Sequence, residues 1–178
     1  MGRINYSISS DPERTARAMG YELHVSPRHA VEICSEIKGK PVLGAKKLLE
    51  DVIELRRSIP FRRFKKKVGH RSEVSGAGRY PRKAASEMLR VIKDAEGNAS
   101  YKGLNPEKMF IKHIAAKKGR TIEGIMPRAF GRASAKNTET VSVELIIEEP
   151  WEEGMEKKEE EQKEKQKPKE EVEPSKTG

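Results

Sequence analysis

The chain has 178 residues, 37% of them charged and 34% hydrophobic, with a net charge of +9. Cys34 is the only cysteine, which excludes an intramolecular disulfide and a thiolate metal cluster, and no apolar run approaches the ~18 residues of a membrane-spanning helix. Ten acids against seven lysines in residues 150 to 178 leave −3 there, so residues 1 to 149 carry +12, a surplus whose simplest partner is nucleic acid.

In chain order, residues 1 to 19 are polar, with a turn at Asp11-Pro12, and lack the apolar core of a signal peptide; the expected compartment is the cytoplasm. Tyr21, Leu23 and Val25 alternate with Glu22 and His24, which predicts a short strand. Ser26-Pro27 is a helix start, and Ala30, Ile33, Cys34 and Ile37 follow at helical spacing until Gly39. Pro41 opens a second helix whose stripe runs Val42, Ala45, Leu48, Leu49, Val52, Leu55, Ile59, with Pro60 as its stop. Residues 61 to 80 show no periodicity and read as a long basic loop. Pro81 starts a third helix, with Ala85, Met88, Leu89, Ile92 and Ala95 on one face; Gly97-Asn98 weakens it, though it can continue through Ala99 and Tyr101. After Asn105-Pro106 a strand is predicted near 109 to 116. Val141, Val143, Leu145 and Ile147 mark the clearest strand of the chain.

These elements predict an α+β fold, with three helices packed on a small three-stranded antiparallel sheet and a long protruding β-hairpin. The expected organisation is an N-terminal extension (1–19), an RNA-binding body (20–149) with a basic loop at 60–83 and an extended hairpin at 109–148, and a charged tail (150–178). The Glu/Lys/Gln tail cannot bury a core and is expected to be disordered.

No catalytic constellation emerges. His24, His29, His70 and His113 are scattered without metal spacing, and His24 and His113 read as sheet-face or phosphate-contacting residues. Cys34 sits on an inner helical stripe, where a thiol is inert. Ser75-Gly-Ala-Gly follows no predicted strand and lacks the Gly-Lys-Ser/Thr ending of a phosphate loop. No cofactor, metal or small-molecule substrate is expected.

Basic clusters remain. Arg56, Arg57, Arg62, Arg63, Lys65, Lys66, Lys67 and Arg71 fall within 16 residues with no acid among them, and Phe61, Phe64 and His70 are interleaved. Cations neutralise phosphates and aromatic rings stack on exposed bases. Arg79, Arg82 and Lys83, with Tyr80 between, form a second patch. The third is the hairpin, where Lys117, Lys118, Arg120, Arg128, Arg132 and Lys136 face Glu123 alone among many Ala and Gly residues. Small and basic strands cannot make their own core, but they can thread between RNA helices. Ten residues a side would reach roughly 30 Å. An RNA-acting enzyme would need a carboxylate or histidine clustered with this charge, and only Glu73 lies near it.

The segment "HIAAKKGRTIEGIMPRAFGRASAKNTETVSVELIIEE" resembles the extended hairpin of the L twenty-two family of large-subunit ribosomal proteins, through Ile-Met-Pro-Arg-Ala-x-Gly-Arg-Ala at Ile125 to Ala133. "VSPRHAVEICSEIKGKPVLGAKKLLEDVI" and "AGRYPRKAASEMLRVIKDAEGNASYKGL" are similar to the family's three helices. The start at Asp11 and the basic insert at 61 to 80 look like the archaeal and eukaryotic branch. The resemblance implies a body bound to large-subunit rRNA and neighbouring ribosomal proteins near the exit of the nascent-chain tunnel. It implies a hairpin along that tunnel, with Ile125, Met126, Pro127, Arg128, Ala129, Phe130, Gly131 and Arg132 at the tip, against the nascent polypeptide. Bacterial relatives carry basic residues where Ile122, Glu123 and Gly124 stand here, and often a lysine in place of Phe130. The alternative is a free RNA chaperone or regulator using the same patches.

Overall fold

A computed structural model provides the structure of residues 6–150; the charged tail lies outside the described residues. The order is β1 (Thr15–Leu23), α1 (Pro27–Ile37), α2 (Val42–Ile53), β2 (Ile59–Pro60), β3 (His70–Arg71), β4 (Gly76–Arg79), α3 (Arg82–Tyr101), β5 (Phe110–Ile122), β6 (Ile125–Pro127), β7 (Ala133–Ala135) and β8 (Thr138–Glu148). β8 is the centre of a three-stranded antiparallel sheet, ordered β1-β8-β5.

The helices cover one face of that sheet. Ile33 and Ile37 of α1, Leu49 of α2, and Met88 and Ile92 of α3 pack in one core with Ile111, Val143, Leu145 and Ile147 of the strands. Each of these large side chains is almost inaccessible to water, and burial of each contributes about 1.5–3 kcal/mol. The other face of β8 is also covered. Glu144 and Ile146 are buried there, and the segment ahead of β1 reaches Glu144 through Ser7.

β1 begins at Thr15, six residues before the predicted strand and inside the segment read as an extension. Its buried residues there are Thr15, Ala16 and Ala18, too small to mark a strand by pattern. Pairing with β8, from Thr15↔Glu148 to Gly20↔Val143, supplies what propensity does not.

α2 stops at Ile53, so Ile59 is not part of its stripe but the start of β2. Leu55 adopts φ +66° just past the helix. The Arg56 N–H then bonds Asp51 O (2.8 Å) and the Leu55 N–H bonds Val52 O (3.2 Å). That pattern closes a helix C-terminus, a position where glycine is usual. With leucine there, the apolar stripe hides the ending. α3 runs through Gly97-Asn98 to Tyr101 and ends in the same way at Gly103 (φ +77°).

The predicted loop at 61 to 80 contains a second small sheet, ordered β2-β4-β3. Phe61 N–H bonds Ala77 O at 2.8 Å and its ring turns into the core.

β5 pairs with β8 from Phe110↔Glu148 to Ile122↔Thr138, with irregularities between Ile111 and His113 and between Lys118 and Thr121. After a break, β6 and β7 continue the ladder from Ile125↔Ala135 to Pro127↔Ala133. From Ile122 to Glu139 every residue except Gly124 and Ser134 is exposed.

Candidate nucleic-acid interface

The first basic patch is built on a buried carboxylate. Glu32 of α1 is only 3% exposed and accepts the backbone N–H groups of Arg62 (3.2 Å), Arg63 (2.9 Å) and Phe64 (2.7 Å). Three successive donors on one carboxylate fix the loop while its cationic side chains face outward. Arg62, Arg63, Lys65, Lys66, Lys67, His70 and Arg71 are all exposed, as are Arg56, Arg57 and Arg79. Some of this charge is shared: Arg56 pairs with Glu54 (2.5 Å), and Arg62 approaches Glu36 (3.7 Å). Exposed pairs of this kind contribute about 0–1 kcal/mol, so either arginine can exchange its partner for a phosphate at little cost.

The aromatic side chains read as base-stacking candidates in this loop have other work. Phe61 is 4% exposed and meets the His29 ring edge-on at 5.4 Å. Its ring also lies 5.9 Å below the Arg79 guanidinium. Phe64 is half-buried, with Arg28 and Arg63 over its ring. The rings therefore pack the arginines into place. Tyr80 is half-buried beneath Arg71 (5.3 Å), and its hydroxyl donates to Glu73 at 2.7 Å. The Tyr80 hydroxyl and the Ser58 N–H hold the Glu73 carboxyl below the usual range. Glu73 thus serves as a structural clasp between the residues before β2 and those after β4.

The second patch, Arg82 and Lys83, is exposed at the start of α3. It lines an open cleft of about 750 Å³ with His24, His29, Asn137 and Thr138, so the fold joins it to the outer end of the β5–β8 pair. The sequence reading did not select His29 for this surface. Burial, and next the charge of Arg79, push its pKa below the ordinary histidine value, which favours a neutral ring.

The third patch divides into two. Near the core, Lys117 bonds Glu144 at 2.9 Å and Lys118 bonds Glu139 at 2.6 Å, so both lysines also staple β5 to β8. Farther out, Arg120, Arg128, Arg132 and Lys136 are exposed and form no ion pair among the described residues. Arg128 Nε donates to Ser134 Oγ at 3.1 Å across the β6–β7 ladder. The strands lie very close there. A Cβ on Gly124 would sit 2.6 Å from the Lys136 carbonyl oxygen, and one on Gly119 would sit 2.6 Å from Thr140 Oγ1. These two glycines therefore serve first to let the segment's own strands approach.

His113 is no phosphate contact. It is buried beside Glu144, with Nε2 3.0 Å from the carboxylate. Glu144 also receives the Ser7 N–H and hydroxyl and the Lys117 ammonium. Burial opposes its charge, but these donors prevail and bring its pKa down to about 2. Cys34 lies in the core, with burial pushing its thiol up to about 12. Among the described residues, no group of histidine, cysteine or carboxylate side chains could hold a metal, and no helix is long and apolar enough to cross a membrane.

The profile of the family described as "Ribosomal protein L22p/L17e" matches residues 18–148. The large ribosomal subunit protein uL22 of Methanococcoides burtonii is 54% identical over 149 residues, covering 84% of this chain and 99% of that protein. Proteins of the same name from Methanocaldococcus jannaschii (54% identical) and Archaeoglobus fulgidus (52%) cover 84% and 83% of this chain, and 97% of their own lengths. The match spans both the helical body and the β5–β8 pair with its basic end, and on that extent the chain belongs to the L22p/L17e family of ribosomal proteins, whose members are structural constituents rather than enzymes.

Proposed function

We propose that this chain is a cytoplasmic constituent of the large ribosomal subunit that binds large-subunit rRNA, supports subunit assembly and lines the nascent-peptide exit tunnel. In this reading the β5–β8 pair and the β6–β7 ladder form one arm that protrudes from the body into the tunnel. Ile125 to Arg132 are its tip, and the partners are rRNA, neighbouring ribosomal proteins and the nascent polypeptide.

One observation carries the reading. Lys65, Lys66, Lys67, Arg120, Arg128, Arg132 and Lys136 are exposed and have no ion-pair partner among the described residues, while Glu32, Glu73 and Glu144 are occupied within the scaffold. Such a surface recognises a polyanion by its phosphates, and RNA shape then supplies specificity.

Sedimentation tests it. The chain should co-migrate with large subunits after a high-salt wash. Recovery in the light fractions would instead support a free RNA chaperone or regulator. Arg128→Glu together with Arg132→Glu should leave folding intact and disturb nascent-chain passage or subunit assembly. A double variant normal in both would remove the tip assignment.

A further inference from the structure

Phe130 is 92% exposed, and its backbone lies at φ +59°, beside Gly131 at +65°. These two residues are the centre of a tight turn. Arg132 N–H reaches Ala129 O at 3.4 Å, and Arg128 N–H bonds Arg132 O at 2.8 Å. Turns with two left-handed central residues favour Asn and Gly, because a larger side chain crowds the backbone in that conformation. A phenyl ring at the first of them does not help the turn and does not reach the core. Strained positions of this kind concentrate where a side chain must be presented to a partner.

Tyr21 and Tyr101 are exposed as well, but they sit in β1 and at the end of α3 rather than in a left-handed turn, and four further rings are engaged. Tyr6, Phe61, Phe64 and Tyr80 each lie beneath an arginine guanidinium. Phe130 has no ring partner among the described residues, although Arg128 and Arg132 stand two positions away on either side. Arg128 is held by Ser134, and Arg132 is exposed without an ion pair among the described residues.

We propose that Phe130 is a stacking residue whose ring packs on the face of an unpaired rRNA base, while Arg128 and Arg132 neutralise the adjoining phosphates. The proposal rests on the rRNA-binding reading above. A nucleotide offers both a π face and an anion, matching a ring between two cations. An apolar peptide segment offers no counterpart to the arginines. Phe130 then anchors the turn to the RNA wall, and Ile125 and Met126, also exposed, take no part in that contact.

The test uses large subunits assembled with the full chain and probed by 2′-hydroxyl acylation, which reports nucleotide mobility. Phe130→Trp keeps a stacking ring. Phe130→Leu keeps apolar bulk without a ring, and Phe130→Asn removes the ring while suiting the left-handed turn. One unpaired nucleotide should be unreactive with wild type and Phe130→Trp, and at least five-fold more reactive with Phe130→Leu and Phe130→Asn. Protection elsewhere by the basic loop should not change. Equal reactivity across all four overturns the proposal, as does a change seen only when a nascent chain is present, which would place the ring against the peptide. If the wild-type chain protects no nucleotide anywhere, the rRNA-binding reading itself fails.

Discussion

Glu144 sits in the middle of β8, 1% exposed and fully charged. Burial alone would raise its pKa; the Ser7, Lys117 and His113 donors lower it from 4.5 to about 2. The folded pKa therefore lies below the unfolded one. Its contribution is complete above about pH 5 and is lost as the pH falls through 4.5 towards 2. About 3 kcal/mol of stability should disappear over that window. Urea midpoints across a pH series should show this step in wild type and not in Glu144→Gln. Glu32 makes the same point with backbone donors. Glu32→Ala should cost about 3 kcal/mol, because three N–H groups lose a charged acceptor. Amide exchange at Arg62, Arg63 and Phe64 should accelerate with it. Neither role was legible in the sequence, since a glutamate beside an apolar stripe looks like a solvated one until the partner segments are known.

At the scale of elements, what was legible is what local pattern encodes. α1 and α3 carry apolar stripes beginning at proline, and β8 alternates, so all three were found. The end of α2 was missed because Leu55 occupies a glycine-like position. Leu55→Gly should stabilise the fold by about 0.5–1 kcal/mol by removing a left-handed leucine, measurable as a higher urea midpoint. The β2-β4-β3 sheet was missed because its strands are two to four residues long and exist through pairing with one another. Between β5 and β6, Gly124→Ala would drive a Cβ against the Lys136 carbonyl. The Lys136 N–H bond to Gly124 O, now 2.7 Å, should open. Exchange of that amide should rise at least about ten-fold with the body's unfolding midpoint unchanged, because a two-stranded segment has little stability of its own to hold it closed.

For the whole molecule, the charge count points to a polyanionic partner, and the fold sorts which charges are free to meet one. Lys117 and Lys118 are shared with strand pairing, whereas Lys65, Lys66 and Lys67 form no ion pair among the described residues. Replacing those three by alanine should weaken binding to isolated large-subunit rRNA and flatten its log–log salt dependence by about 2–3. An unchanged slope would remove the loop from the interface. The runs of cations were readable because they need no contact between distant segments, and the fold leaves them exposed. The burial of Phe61 and the clasp at Glu73 were not, because they depend on contacts between segments far apart in sequence. The most direct test of the account is a structure of the assembled large subunit. It should show the body on rRNA with Lys65 to Lys67 facing phosphates, and residues 125 to 132 at a narrow point of the peptide tunnel. A chain seated with that segment in open solvent, or absent from salt-washed subunits, would contradict it.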